Sequence, residues 1–453
     1  MVLYYRIPYL CTMKIKKIKF ENFRLFENLE VDFPDSNFIV LIGNNGAGKT
    51  SVLDGIALSF MHFTDDLLLA NDKDRIETYF VNDDITIKKN EGKVEVQFDY
   101  TILNGNNEWK TISLTKNRKQ IGSSSDKKPD GFFSQIKKSI KDNTLNALPI
   151  IAYYNVNRTM HSNEKDKPNE ENNISIYNEK LQAYIKTLNL NLPIFKDFEQ
   201  WFLKQEIKEN ALKVNGDNLD LFLPALKNVR TAIETYFSSI EPAKFGKINI
   251  LRESEMNANF TENTTENLSL EKDGKVLKFK QLSSGEKMVI LLVVDIARRL
   301  TIANENSEDA LKGEGIVLID ELELHLHPNW QLKIVKALKT TFPNVQFIAT
   351  THSPLVLSGI RREDILVLNQ GEIIPSEELP NIYSSTSDQI LEEIMFAKNK
   401  IDEFSKEKEE IDILFNKMDF DAAELKLDEL KRKVSASPKW LKDYERRISF
   451  AKA

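Results

Sequence analysis

The chain has 453 residues, a formal net charge of −7, 29% charged and 41% hydrophobic residues, and one cysteine, Cys11. This length allows two or three domains of roughly 100–200 residues, and the acidic balance excludes an overall positive field that would attract nucleic acid. The single cysteine excludes an internal disulfide framework and is typical of a cytoplasmic protein. The sequence contains no apolar run of about 18 residues, so no membrane span is predicted.

The first predicted elements are two half-exposed strands and a buried one. Residues 1–12 have too little apolar length and no small-residue cleavage site for a signal peptide, so we expect an extension before Met13. Alternating apolar residues after Met13 and over 29–33 predict two strands. The continuous apolar run Phe38–Ile42 predicts a strand that is buried on both faces.

The next segment is typical of a phosphate-binding loop between this strand and an apolar-patterned helix. It reads Gly43-Asn44-Asn45-Gly46-Ala47-Gly48-Lys49-Thr50-Ser51. Glycines let the backbone curl around phosphate oxygens, and successive N–H groups at a helix N-terminus form an anion site. We expect Lys49 to reach the β- and γ-phosphates and the Thr50 hydroxyl to ligate Mg²⁺. The alternative is a chance glycine-rich turn, and the order strand, loop, helix argues against it.

The following stretch predicts an antiparallel subdomain beside the nucleotide site. Residues 94–102 and 109–114 alternate around an Asn-Gly turn and predict a strand pair. Residues 122–130, with three consecutive serines, are predicted to form a loop.

The middle of the chain predicts a buried strand, a helical unit and a hairpin. Residues 148–154 form an apolar run that predicts the buried strand, and residues 155–158 follow it. Helical spacing of apolar residues over 175–240 predicts helices. An Asp-Gly turn within 268–279 predicts the hairpin.

A group of four residues follows this hairpin and precedes an almost wholly apolar helix: Ser283, Ser284, Gly285 and Glu286. We name them the serine-glycine segment. Such a cap offers hydroxyl and N–H donors beside the positive end of the helix dipole, so it predicts a second phosphate cradle. On its own an ordinary helix cap is the simpler interpretation, and the motif that follows favours the cradle.

That motif is an apolar strand over 315–319 that ends in Asp320 and Glu321. A Mg²⁺-assisted phosphoryl-transfer site needs two such carboxylates, with Asp320 near the metal and Glu321 orienting and polarising the attacking water. The next apolar strand, 345–349, leads to His352, where a donor can sense the γ-phosphate.

Glu323, His325 and His327 alternate between these two strands and raise the possibility of a metal site. No fourth ligand or open-site pattern lies nearby. We therefore prefer a structural turn at a subunit interface over a zinc site.

The order of these motifs resembles the ATP-binding-cassette class of ATPases, and within it the RecF, SMC and overcoming-lysogenisation-defect branch. The resemblance covers roughly 13–155 and 270–370. It implies an α/β fold: an ABC-type ATPase head with a parallel or mixed sheet around the phosphate loop, an antiparallel β subdomain, a helical insertion and a helical C-terminal tail. The expected parts are an extension (1–12), the head (13–158 and 246–375), a mainly helical insertion (159–245) and a tail that can dock a partner (376–453).

The resemblance also implies roles. Such enzymes hold ATP between two protomers, so Ser283 would contact the γ-phosphate in trans. Arg24 would contact a phosphate of the nucleotide. Ser284 stands where the commoner pattern has glycine, which predicts a reduced fit. Residues 155–158 stand where these families usually have a glutamine, so the water- and metal-sensing role there is open.

The last part of the sequence narrows the resemblance. The tail does not provide the nuclease domain of the overcoming-lysogenisation-defect enzymes, whereas residues 388–394, with 153–158, look similar to the Septu antiphage ATPases. Those ATPases are encoded with a separate HNH-type nuclease subunit. The implied function is an ATPase that acts as a dimer or higher oligomer and regulates a partner nuclease in antiphage defence, with nucleic acid as a possible further partner and no membrane. The alternatives are a RecF-like DNA-repair clamp without a nuclease and, ranked last, a transporter motor.

Overall fold

The computed structural model gives two compact units, residues 1–395 and 396–453. The described residues are 13–68, 80–100, 108–117, 124–127, 136, 138–140, 142, 147–156, 179–185, 187–188, 194–215, 223–241, 245–256, 262–305, 309–369, 371–379, 405–433 and 439–452. None of the helices in these ranges is long and apolar enough to cross a membrane.

Fourteen strands and ten α-helices lie wholly within the described ranges. The strands are β1 (Met13–Phe23), β2 (Phe26–Asp32), β3 (Phe38–Ile42), β4 (Glu91–Tyr100), β5 (Glu108–Asn117), β6 (Ser124–Lys127), β7 (Ile150–Tyr154), β8 (Phe245–Met256), β9 (Glu262–Lys272), β10 (Lys275–Lys278), β11 (Gly315–Ile319), β12 (Val345–Thr350), β13 (Ile365–Asn369) and β14 (Glu372–Ile374). The helices are α1 (Lys49–Leu68), α2 (Ile194–Asn215), α3 (Pro224–Ile240), α4 (Ser284–Ala303), α5 (Pro328–Gln331), α6 (Ile334–Thr341), α7 (Pro354–Leu357), α8 (Ser405–Asn416), α9 (Phe420–Lys433) and α10 (Lys439–Lys452).

A six-stranded sheet organises the first unit, in the order β14-β13-β3-β12-β11-β7. The five strands from β13 to β7 are parallel, and β14 is antiparallel to β13. Strands β3, β7, β11 and β12 are buried along their whole length, as expected for parallel strands covered on both faces. Their carboxyl ends therefore meet at one edge, which is where ligands bind in open α/β sheets.

The remaining strands form two antiparallel sheets. The first has the order β2-β1-β4-β5-β6, and the second has the order β10-β9-β8. The predicted hairpin is confirmed: Asp273 and Gly274 between β9 and β10 have φ of +50° and +72°, as a two-residue hairpin turn requires. The predicted loop over 122–130 is wrong for Ser124–Lys127, because these residues pair with β5 and ladder hydrogen bonds override local turn composition.

Helix α4 is buried along most of its length. Residues 288–297 are buried without interruption, and α4 packs against α3 and against a 3₁₀ turn at Glu179–Tyr184. Helices α2 and α3 lie within the range expected to be a helical insertion. The sheets and helices confirm the predicted α/β fold class.

The described part of the second unit contains helices α8, α9 and α10. Their apolar faces meet in a small core, which is formed by Ile411, Ala423, Leu427, Leu430, Leu441 and Ile448.

Candidate active site

The phosphate-binding loop connects β3 to α1 and depends on glycine at two positions. Gly48 has φ of +102°, and a Cβ there would lie 2.4 Å from Cζ of Phe26. A Cβ on Gly43 would lie 2.2 Å from the backbone oxygen of Leu368. Only a residue without a side chain allows this curl, so the loop has the shape of an anion cradle.

Lys49, the first residue of α1, is 7% exposed. Its Nζ donates to the backbone oxygens of Gly43 at 2.9 Å and Asn44 at 3.2 Å. Burial lowers the pKa of Lys49, and the negative charges of Asp320, Glu323 and Glu321 oppose that shift. A buried cation at the start of a helix, beside a glycine-rich loop, suits a multiply charged anion.

Asp320 lies at the end of β11 and is 2% exposed. Its Oδ2 accepts a hydrogen bond from the Thr50 hydroxyl at 2.9 Å, and its Oδ1 accepts one from the Thr350 hydroxyl at 2.5 Å. Parallel strands therefore bring together two predicted metal ligands that are 270 residues apart in the chain. A carboxylate beside a hydroxyl is an all-oxygen donor set that fits Mg²⁺.

Thr350, the last residue of β12, also fixes the backbone of Glu321. The Glu321 N–H donates to the Thr350 hydroxyl at 2.8 Å, and Glu321 has φ of +48°. One buried hydroxyl thus holds both members of the acidic pair. This role of Thr350 is not predictable from the sequence, because no local pattern indicates a bond between residues about 30 positions apart.

Glu323 braces the segment that carries His352. Its Oε1 accepts from the His352 N–H at 2.6 Å, and its Oε2 accepts from the Thr351 hydroxyl at 2.6 Å. His352 itself is half-buried directly after β12. Among the described residues, no three His, Cys, Asp or Glu side chains come together as a metal site. Both Glu323 oxygens therefore serve the strand end that was expected to sense the γ-phosphate.

The serine-glycine segment forms the N-terminus of α4. Ser283 Oγ accepts from the Glu286 N–H at 3.3 Å, and Glu286 Oε2 accepts from the Ser283 N–H at 2.9 Å, which is a reciprocal capping box. Burial raises the pKa of Glu286, but hydrogen bonds from Lys272 and Ser283 outweigh it and lower the pKa. Ser283 and Ser284 are exposed, and a Cβ on Gly285 would lie 2.3 Å from the His325 oxygen.

Arg24 lies in the turn between β1 and β2, with φ of +50°. Its Nη1 donates to Asp54 Oδ2 at 2.5 Å and its Nε to Asp84 Oδ1 at 3.0 Å. Asp54 belongs to α1, and its other oxygen accepts from the Tyr153 hydroxyl at 2.7 Å. No local sequence pattern predicts these partners of Arg24. The turn packs on the phosphate-binding loop, since Phe26 borders Gly48.

The strand end that stands where related families usually have a glutamine lies beside the acidic pair. Strand β7 is parallel to β11, and the Asp320 N–H donates to the Tyr154 backbone oxygen at 2.8 Å. Asn155 and Val156 follow directly, whereas residues 157 and 158 lie outside the described ranges.

Comparison with known proteins places this site in a family. Residues 38–358 match the family described as "AAA domain, putative AbiEii toxin, Type IV TA system". The chain is 29% identical over 402 residues to "Retron Vc95 probable ATPase" of Vibrio cholerae, covering 79% of this chain and 74% of that protein. It is 31% identical over 401 residues to "Retron Ec83 probable ATPase" of Escherichia coli, covering 80% and 72%.

A third relative bears on the Septu resemblance. The chain is 27% identical over 364 residues to "Septu protein PtuA" of Bacillus mycoides, covering 79% of this chain and 41% of that protein. The resemblance to ATPases of this type, including a Septu protein, is therefore confirmed. Since the family match extends over more than half of its length, the chain belongs to this AAA-domain family and is an ATPase.

Proposed function

We propose that this ATPase is a nucleotide-dependent switch that regulates a partner nuclease in antiphage defence. The observation that carries the catalytic part is the convergence of Thr50, Asp320, Thr350 and Glu321 at one edge of the sheet. Similarity to a Septu protein and to two retron ATPases supports the defence part.

Within this proposal Lys49 and the N–H groups of residues 43–51 bind the phosphates of ATP. Thr50 and Asp320 hold Mg²⁺, which neutralises charge on the phosphoryl group when it is bound. Glu321 orients the attacking water, and its backbone is already fixed by Thr350. His352 reads the γ-phosphate from the neighbouring strand end.

The serine-glycine segment would complete the site of a second copy of the chain, with Ser283, Ser284, Gly285 and Glu286 facing its phosphates. Exposure of Ser283 and Ser284 at the positive end of a 20-residue helix supports this role. Nη1 and Nε of Arg24 bind Asp54 and Asp84 here, so a contact from Arg24 to phosphate would use the other N–H donors of the guanidinium.

The proposed partner is an HNH-type nuclease subunit that the ATP-bound dimer or higher oligomer holds or releases, with nucleic acid as the ligand of the complex. The test is to co-express the chain with the products of its neighbouring reading frames and to measure the native mass of the purified complex with and without ATP. We expect the wild type to capture an HNH-type nuclease in an amount that changes with ATP. For Lys49→Ala, the amount captured should not depend on ATP.

Two site variants separate binding from hydrolysis. Lys49→Ala should abolish ATP binding, because it removes the buried cation of the loop. Glu321→Gln should bind ATP like the wild type but hydrolyse it about 100-fold more slowly, in the range usual for loss of a general base, and remain as an ATP-bound dimer. Hydrolysis by Glu321→Gln at the wild-type rate would contradict the assignment. Salt-sensitive binding of duplex DNA by the chain alone, with no nuclease captured, would favour a RecF-like clamp instead.

A further inference from the structure

Two consecutive tyrosines end strand β7, and their hydroxyls bond to two different helices. Tyr153 reaches Asp54 on α1, which starts with Lys49, and Tyr154 reaches Asp295 on α4, which starts at the serine-glycine segment. Successive side chains of a strand point in opposite directions, so one strand end can hold two elements at once.

The first contact set, which we name the Tyr153 bridge, consists of Tyr153, Asp54 and Arg24. The Tyr153 hydroxyl donates to Asp54 Oδ1 at 2.7 Å, and Arg24 Nη1 donates to Asp54 Oδ2 at 2.5 Å. Burial and the charge of Asp54 raise the pKa of Tyr153 far above its ordinary value, so the hydroxyl remains a donor. Asp54 lies on the first turns of α1, and this bridge therefore ties the phosphate-binding loop to β7.

The second contact set, which we name the Tyr154 bridge, is fully enclosed. The Tyr154 hydroxyl donates to Asp295 Oδ2 at 2.9 Å, and Arg299 Nε donates to the same oxygen at 2.8 Å. Arg298 donates to Asp295 Oδ1 at 2.6 Å and 3.1 Å. Burial would raise the pKa of Asp295, but the charges of Arg299 and Arg298 outweigh it and hold the pKa at about 2. An ionised, fully paired carboxylate thus joins β7 to the middle of α4.

The segment at 179–188 is bound to both bridges. The Tyr153 N–H donates to the Thr187 oxygen at 2.9 Å. Arg299 Nη1 donates to the backbone oxygens of Ala183 at 2.7 Å and Ile185 at 3.1 Å. This segment comes from the part of the chain expected to be an insertion. Because it bonds to Tyr153 of β7 and to Arg299 of α4, a displacement of the segment would act on both α1 and α4.

We propose that Tyr153 and Tyr154 are positioning residues that set the phosphate-binding loop and the serine-glycine segment of one chain relative to each other through α1 and α4. This inference rests on the proposed function, because the serine-glycine segment acts on the nucleotide of a second copy. The two tyrosines therefore act on different steps. Tyr153 acts on ATP binding by its own chain, and Tyr154 acts on turnover in the assembled protein.

The test compares Tyr153→Phe and Tyr154→Phe, each of which removes one hydroxyl and keeps the ring. Tyr236→Phe is the matched control, since Tyr236 is fully buried and its hydroxyl has no hydrogen-bond partner among the described residues. The measurements on the full chain are the Kd for a non-hydrolysable ATP analogue in dilute protein, the kcat at saturating ATP, and the thermal midpoint.

We expect Tyr153→Phe to raise the Kd about fivefold, the usual value of one net hydrogen bond. Tyr154→Phe should leave the Kd within about twofold and lower kcat about tenfold, because its hydroxyl bonds a charged group. Should Tyr154→Phe fail to fold, Arg298→Gln provides the second variant, since Arg299 still pairs Asp295, and the same split is expected.

A purely structural role would lower the thermal midpoint of both variants and change Kd and kcat alike. That result, or behaviour of both variants like Tyr236→Phe, overturns the inference. Failure of the wild type to self-associate with ATP would contradict the proposed function. In that case the difference in Kd between the two tyrosine variants still decides whether the two bridges act separately.

Discussion

The hydroxyl of Thr350 should stabilise the acidic pair more than any other single hydroxyl at the site, and Thr350→Val tests this. Thr350 is fully buried. The substitution keeps the side-chain shape but removes the bond to Asp320 at 2.5 Å and the acceptor for the Glu321 N–H at 2.8 Å. A hydrogen bond to a charged group contributes about 1.5–3 kcal/mol and a neutral one about 1 kcal/mol. The free energy of unfolding should therefore fall by about 3 kcal/mol.

The assay for this prediction is urea unfolding together with steady-state ATP hydrolysis. Thr301→Val is the matched control: Thr301 is 5% exposed, and its hydroxyl has no hydrogen-bond partner among the described residues. The kcat of Thr350→Val should fall about 10- to 100-fold, because a small misplacement of Glu321 would misdirect the water that we propose it orients. Equal stability and equal kcat in the two variants would refute the reasoning.

Two further predictions concern the loop and the acid stability. Gly48→Ala should abolish ATP binding and destabilise the fold by about 1–3 kcal/mol. The control is Gly371→Ala, which should retain binding, because Gly371 has φ of +85° and open space where a Cβ would lie. ATP binding by Gly48→Ala would contradict the steric argument. The pKa of Asp295 is lowered from 3.8 to about 2, so its stabilisation is present above pH 4 and is lost as the pH falls towards 2. Asp295→Asn should remove about 2 kcal/mol of that pH dependence in unfolding experiments, and an unchanged acid transition would refute the assignment.

The fold and the centre of the site follow from local patterns and one topological rule. The run Phe38–Ile42, the glycines and the helical pattern after Lys49 predict strand, loop and helix. The acidic pair follows another apolar strand, and parallel strands end at a common edge. These two facts are sufficient to predict that Thr50 and Asp320 meet, as their 2.9 Å hydrogen bond shows.

The contacts that support the site were not predictable, because they join residues with no shared pattern. Asp54 and Tyr153 are 99 positions apart, and Asp84, the other partner of Arg24, precedes a separate strand. Glu323 suggested a metal ligand by its alternation with histidines, whereas its oxygens accept from Thr351 and His352. In each case the same carboxylate suits several partners, and only tertiary packing selects one.

The capping role of Ser283 is compatible with a contact to phosphate from a second chain. As the cap of α4, Ser283 Oγ accepts from the Glu286 N–H, and this bond uses a lone pair of the hydroxyl and not its proton. Lys272, 2.6 Å from Glu286 Oε1, holds the capping carboxylate in its ionised form. The capping box therefore fixes the serine rotamer while the hydroxyl keeps a donor for an anion. A phosphate at this helix end gains the Ser283 donor and the helix dipole without breaking the cap.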